Sequence, residues 1–322
     1  MPRFSIHHIT KYTYEGPVRD SANQIVLFPI KDTWQEVLRQ DLSITGDPPV
    51  EIHNDYYGNE IGSFTHAEPH NSLIIDSRVE VVTKQRPPLQ DVADKETQWA
   101  QLEQLRWQTP YIDFLKQEPF ASLTEVLDGV CPDKARRQTP LEAAQQLRTY
   151  VYDQFKYIKG VTSVESTPDE VWKLKAGVCQ DFAHMLLVFL RQIQIPARYV
   201  SGYICPNRNG MRGEGATHAW IEAYIPFLGW VGLDPTNNCL TNDLHVRLAV
   251  GRSFSDCSPV KGTYKGVAGQ RLEVGVSVAY EDGAMEQDVL TTVLAPQPEV
   301  NGKETNSYRR YMEMMQQQQQ QQ

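Results

Sequence analysis

The sequence has little of what usually announces a function. In 322 residues there are only five cysteines, Cys131, Cys179, Cys205, Cys239 and Cys257. They form an odd, scattered set with no Cys-x-x-Cys pair, which argues against a disulfide framework and a structural zinc site and leaves at least one thiol free. The longest apolar run, Met185 to Leu190, is far short of the roughly 20 residues of a membrane-spanning helix, so no membrane partner is expected. "MPRFSIHHITKYTYEG" lacks the apolar segment and cleavage site of a secretory leader, and a cytoplasmic location follows as the expectation. Basic residues are outnumbered, 31 against 40 acidic ones for a net charge of -9. With no basic stripe to meet phosphates, nucleic acid is not expected as a partner. No GxxxxGK[ST] loop and no EF-hand-like acidic loop is present, so no nucleotide, calcium or other metal cofactor is expected.

What is present is ordinary globular composition, 40% hydrophobic and 22% charged, arranged in two styles. Up to about residue 90, "FSIHHITKYTY", "QEVLRQDLSIT", "VEIHNDYYGNEIGSFT" and "SLIIDSRVEVVTKQ" carry β-branched and aromatic residues at period two, which predicts an all-β module. Gly58-Asn59 tolerates positive φ and suits a tight turn. After Pro87 and Pro88 the pattern turns helical in "QWAQLEQLRWQ", "ASLTEVLDGV" and "TPLEAAQQLRTYVYDQF", where Thr139 can cap and Pro140 takes the first helical position. "CQDFAHMLLVFLRQIQI" is the next helix, with Phe182, Leu186, Phe189, Leu190 and Ile193 on its apolar face. Strand signals return in "ARYVSGYI", "THAWIEAYI", "WVGLDPT", "RLEVGVSVAY" and "DVLTTVL". The fold class is therefore α+β. Its expected parts are a β-rich module over 1–90, a catalytic domain over 91–295 and a disordered glutamine-rich tail over 296–322, whose composition cannot build a core.

Chemistry concentrates around "KAGVCQDFAH". A thiol attacks a carbonyl carbon as thiolate, and a helix amino terminus supplies the positive potential that favours it. Cys179 falls in such a first turn. The preceding "KAGV" has no Ser, Thr, Asp or Asn to consume the free N–H groups, which leaves donors for a developing oxyanion. Gly177 permits close approach of chain or substrate. Taken alone, Cys179 reads more simply as a small buried hydrophobe.

Of eight histidines, His184 is i+5 from Cys179, about 140° around the helix, and faces away from it. His7, His8, His53, His66 and His70 fit strand or turn roles in the β module, and His245 has no evident partner. His218 differs, because "GATHAWIEAYIPFLGWVGLDPTN" sets it at the start of a strand whose hairpin partner contains Asp234. A three-residue loop at 226–228 makes paired positions sum to 454. Asp234 then stands opposite Trp220 and diagonal to His218 on one face, with Cβ atoms about 7 Å apart. A two-residue loop turns Asp234 to the other face and abolishes the arrangement. In the first register Cys179 is the nucleophile, His218 the base and Asp234 its orienting carboxylate. Trp220 can shield the imidazole, although a core role suffices for it.

"KAGVCQDFAHMLLVFLRQIQIPARYVSGYI", "THAWIEAY" and "GWVGLDPTN", in that order, closely resemble the core of bacterial transglutaminase-like proteins, a branch of the papain-like cysteine-enzyme superfamily. The first ninety residues resemble the β-rich region that accompanies this branch, and "GRSFSDCSPVKGTYKG" resembles its segment after the triad. The resemblance implies a papain-like core, with the helix that carries the cysteine packed on an antiparallel sheet. It also implies the triad Cys179, His218 and Asp234. It further implies a thioester formed on an amide of a peptide or protein, with release of ammonia or an amine and resolution by water or another amine. By the same resemblance "CQD" is a family feature that brings in Gln180, and "FKYIKGVTS" borders the cleft, with Tyr157 beside the oxyanion. Packing remains the simpler role for Tyr157 and Thr162, and a structural role for Asp181. Ser253 stands where the family commonly has an acidic residue. The expectation is a cysteine hydrolase or acyltransferase. Its alternatives are a non-catalytic binding module that keeps the fold and, less well supported without a nucleotide loop, a ligase partner.

Overall fold

The computed structural model describes residues 1–117, 120–121, 135–205, 211–212, 217–266, 268–280 and 293–294. Cys131, nearly all of "ASLTEVLDGV" and the tail beyond 294 lie outside them. The chain forms two compact units. One comprises 1–87, 200–218 and 242–300, the other 88–199, 219–241 and 301–322. The first boundary falls at Pro87/Pro88, where the period-two pattern stops. The segments 200–218 and 242–300 do not follow the contiguous division expected from the sequence. The reason is pairing: a strand near the end of the described chain is hydrogen-bonded to the first.

That first strand, β1 (Arg3–Ile25), alternates buried and open residues along its length. It pairs antiparallel with β5 (His70–Thr83) in a register from Arg3↔Val82 to Thr13↔Ser72. On its other side it pairs with β14 (Gln270–Tyr280), from Phe4↔Tyr280 to Tyr14↔Gln270. Beyond a register shift after Thr13 it pairs with β4 (Glu60–His66) and β13 (Val260–Lys265) instead. β2 (Gln35–Ile44) adds to β5, and β3 (Glu51–Asn54) adds to β4. One face of this sheet is covered, so apolar residues fall at every second position. Phe4, Ile6, Leu73, Ile75, Val79, Val81, Val276 and Val278 supply them and are buried with Tyr203, Val246 and Leu248. Each such side chain contributes about 1.5–3 kcal/mol of burial.

Polar residues buried in this unit bind backbone or one another. His8, in line with Phe4 and Ile6, lies 2.9 Å from Tyr203 Oη and 3.2 Å from Thr10 Oγ1. Burial, with a smaller contribution from His7, lowers its pKa to about 4. Gln35 donates to the Ile30 and Arg247 carbonyls and accepts from Arg247 N–H. In the turn after β3, Gly58 takes the positive φ expected of it. Asn59 does not. Its buried amide instead donates to Val250 O and accepts from Val250 N, both at 2.8 Å.

The second unit contains α1 (Lys95–Leu105), α2 (Pro140–Gln154), α3 (Pro168–Leu174) and α4 (Cys179–Gln192). As expected, Thr139 caps α2 with Pro140 at its first position, and Glu142 reaches back to the Thr139 N–H to complete a capping box. Thr167, Pro168 and Glu170 repeat the device on α3. α4 is the central helix, buried along Phe182, Leu186, Phe189 and Leu190. α2 and α3 pack on it. Arg191, buried near its end, donates to the Phe114, Lys116 and Ala197 carbonyls, so a charge inside the unit is matched to backbone acceptors.

The antiparallel strands β9 (Thr217–Ile225), β10 (Gly229–Asp234) and β11 (Cys239–Leu240) belong to a five-stranded sheet ordered β11-β10-β9-β8-β12. β8 is Ala197–Ile204 and β12 is His245–Gly251. Two short strands, β6 (Lys156–Tyr157) and β7 (Ala176–Gly177), run parallel just before α4. Among the described residues no helix is long and apolar enough to cross a membrane.

Candidate active site

Cys179 is the first residue of α4. Val178 occupies the N-cap position in extended conformation and offers no side-chain acceptor. The first intrahelical bond runs from Phe182 N to Val178 O at 3.1 Å, so the N–H groups of the opening turn belong to the class without intrahelical acceptors. The helix start is nevertheless tied down. Asp181 Oδ2 accepts Val178 N–H at 2.7 Å and the Thr162 hydroxyl at 2.6 Å. Gly177 is required by this packing, because a Cβ there would lie 2.4 Å from Asp181 Oδ2 and 2.8 Å from Asp181 Cβ. The close approach at Gly177 is thus by the chain itself. Burial, at 3% exposure, pushes the Asp181 carboxyl pKa up, opposed by the Thr162 and Val178 hydrogen bonds and by His184.

β6 and β7 lead into this turn. Tyr157 pairs with Gly177, Ile158 N–H donates to Gly177 O at 2.9 Å, and the Tyr157 ring meets Phe182 edge-on at 6.2 Å. Tyr157 therefore sits beside the strand that delivers the cysteine. Gln180, the next residue, turns its amide to the Val164 carbonyl at 3.4 Å.

The other described thiols are poorer nucleophiles. Cys205 and Cys257 are buried, and burial raises the Cys205 pKa strongly. Cys239 is partly exposed, but burial and the nearby Asp234 charge raise its pKa to about 12, against a smaller opposing effect of Arg148. Neither Cys205 nor Cys239 forms thiolate readily near neutral pH. Cys179 is partly exposed and stands at a helix start.

Pairing of β9 with β10 runs from Gly229↔Ile225 to Leu233↔Ile221, a sum of 454 throughout. This is the register required for a histidine/carboxylate pair. The loop that sets it is Pro226-Phe227-Leu228, closed by Leu228 N–H on Ile225 O at 3.1 Å, with Phe227 and Gly229 at positive φ. Continued one step, the register faces Asp234 with Trp220. His218 is two residues before Trp220 and so projects from the same face of β9.

Asp234 is fully buried. Its Oδ1 accepts Thr236 N–H at 2.8 Å and Asn237 N–H at 3.2 Å, and its Oδ2 accepts Asn237 Nδ2–H at 2.8 Å. These donors fix the carboxylate's orientation. Trp220 and His218 are buried as well. His245, for which no partner is evident from the sequence, has its ring 6.5 Å from that of His218 and its Nδ1 held by Asn242. The two histidines are 27 positions apart in the chain, and no local spacing signals the pair. Ser253 precedes a four-residue helix, α5 (Phe254–Cys257), and bonds to Ser255 Oγ.

Two family models match the chain. The description "Transglutaminase-like superfamily" covers residues 129–235, a span that holds Cys179, His218 and Asp234, and "Bacterial transglutaminase-like N-terminal region" covers 4–82. Protein ML0607 of Mycobacterium leprae (strain TN) is 31% identical over 281 residues, 86% of this chain and 99% of the relative. A protein-glutamine gamma-glutamyltransferase of Pseudomonas aeruginosa is 29% identical over 110 residues, 32% of this chain and 16% of that protein. Among solved structures, a candidate cysteine protease from Cytophaga hutchinsonii superposes with a TM-score of 0.68 at 21% identity, covering 88% of this chain and 92% of that one, and so shares the α+β fold.

Proposed function

Because the chain belongs to the transglutaminase-like superfamily and carries a bacterial transglutaminase-like N-terminal region, we propose that it is a cysteine-dependent acyl-transfer enzyme acting on peptide or protein amides. Cys179 Sγ attacks the amide carbonyl and His218 accepts the thiol proton. The C–N bond breaks as His218 returns that proton to the departing nitrogen, leaving a thioester on Cys179 and free ammonia or amine. Water or a second amine, deprotonated by His218, then attacks the thioester and regenerates the thiol. Asp234 orients the imidazole and stabilises its charged form. N–H groups of the first turn of α4 receive the oxyanion.

The observation that carries this reading is the placement of Cys179 at the uncapped start of α4 while burial disables the Cys205 and Cys239 thiols. The 454 register of β9 and β10 supports the assignment of Asp234 as partner to His218. The name of the Pseudomonas relative favours a glutamine side chain as acyl donor, with ammonia as first product.

The test incubates the protein with glutamine-containing peptides, with and without an amine donor, and weighs the products. Peptide gaining the mass of the amine identifies an acyltransferase. Deamidated or cleaved peptide identifies a hydrolase. Unchanged peptides under both conditions, with no adduct on Cys179, would refute the proposal.

A further inference from the structure

We infer that Asp181, anchored by Thr162, is the positioning residue for Cys179: it caps the nucleophile helix from inside, and thereby holds the first-turn N–H groups open toward the thiol. This inference rests on the assignment of Cys179 as nucleophile.

An ordinary N-cap side chain bonds forward, onto the N–H groups two or three residues into the helix. Here the N-cap is Val178, which cannot do so. The anchoring bond instead runs backward, from Asp181 Oδ2 to the Val178 N–H, which lies outside the helix. Forward capping would consume the donors that face Cys179, whereas backward capping fixes the same turn and spares them. Three contacts make the clamp specific. Thr162 Oγ1, reaching in from the 160–167 loop, donates to the same oxygen; Gly177 leaves room only for a hydrogen at its α-carbon; and the carboxyl is almost wholly enclosed. Both groups bound by Oδ2 are donors, so it needs to be only an acceptor. A carboxylate, a neutral acid through its carbonyl oxygen, or an amide can serve. His184, three residues along α4, also opposes the effect of burial on Asp181. Glu142 and Glu170 make the same backward bond at α2 and α3; what differs at α4 is that the N-cap side chain cannot bond forward and that the next residue is Cys179.

The acceptor requirement separates positioning from charge. Asp181→Asn retains an acceptor oxygen, while Asp181→Ala removes it. Gly177→Ala drives a methyl group into the carboxyl without touching Asp181 itself, which provides a second route should Asp181→Ala fail to fold. The readout is the rate of Cys179 alkylation by iodoacetamide as a function of pH, measured by peptide mass on protein shown by circular dichroism to be folded.

Asp181→Ala and Gly177→Ala should move the rise of the alkylation profile about one pH unit upward, a loss of about tenfold in thiolate at a given lower pH. Asp181→Asn should keep the wild-type position or fall below it, and Thr162→Val should lie between. Profiles for Asp181→Ala and Gly177→Ala that superpose on an activated wild type would overturn the positioning role and leave the nucleophile assignment intact. A wild-type Cys179 profile no different from that of an ordinary free thiol would overturn both. Because no acyl substrate enters the measurement, a wrong guess at the substrate cannot imitate either result.

Discussion

Both units use buried polar groups to join distant segments, as Arg191 does in the one built on α4, but they differ at one turn. In the unit built on β1, His8, Gln35 and Asn59 join segments far apart in sequence: His8 meets Tyr203, Gln35 grips the Arg247 backbone and Asn59 the Val250 backbone. Their work is to hold strands together. In the unit built on α4, Asp181 and Thr162 gather at the one turn that presents Cys179, and Asp234 is fixed by three donors at the end of β10. The lesson is that a buried polar group is informative by what it fastens. A group that fastens a strand sets the fold, and a group that fastens a reactive residue's own turn sets reactivity.

The comparison predicts effects that separate chemistry from stability, with His218 in the unit built on β1 and Cys179 in the unit built on α4. The largest belongs to the proposed chemistry: Cys179→Ser and His218→Ala should each lower acyl-transfer turnover by about 10³–10⁴ with little change in stability, measured by product mass and denaturant unfolding side by side. An active His218→Ala variant would place the base elsewhere.

Next comes the buried ion pair of the unit built on α4. Arg198 donates Nε and Nη2 to Glu222, which is 1% exposed, and its guanidinium lies 4.3 Å over the Trp230 ring. Arg198→Met removes both of these hydrogen bonds from the enclosed carboxylate and should cost about 3–5 kcal/mol in urea unfolding. A loss below about 1 kcal/mol would mean the pair is not enclosed in solution.

In the other unit His8 should govern acid stability and nothing catalytic. Its folded pKa, about 4, lies below the unfolded value of 6.5. Above pH 6.5 neither state binds the proton. As pH falls from 6.5 to 4 the unfolded chain takes it up first, so stability drops by about 3 kcal/mol and then levels off. His8→Gln should flatten that slope in a pH series of unfolding curves while leaving Cys179 alkylation unchanged. The smallest effect is expected at the α2 cap, where Thr139→Ala should cost about 1 kcal/mol and leave turnover intact.

Local features were legible in the sequence and distant ones were not. Cys179 at a helix start could be read because "KAGV" contains no capping side chain, and the cap of α2 because Thr139, Pro140 and Glu142 are nearly adjacent. The β9/β10 register was narrowed to two alternatives, because a three-residue loop and a two-residue loop place Asp234 on opposite faces, and the pairing itself chose between them. The pairing of β14 with β1 was invisible, since it joins residues 4–14 to 270–280 with nothing in either segment to name its partner. The same reason hid the approach of His245 to His218. Thr162 and Asp181 were both noted, yet their bond could not be seen, because it depends on how the loop after β6 returns to α4. Asn59 was assigned to its turn for its tolerance of positive φ, whereas its buried amide serves Val250 instead.

The central claim, that the start of α4 makes Cys179 the nucleophile, is tested most directly by following alkylation of Cys179 and Cys239 in one sample across pH 5 to 9, with each site read by peptide mass. The account predicts that Cys179 is labelled on the acidic side of this range and slows in His218→Ala, while Cys239, its pKa raised to about 12 by burial and Asp234, stays unlabelled throughout. Equal and slow labelling of both thiols, unchanged by His218→Ala, would contradict it.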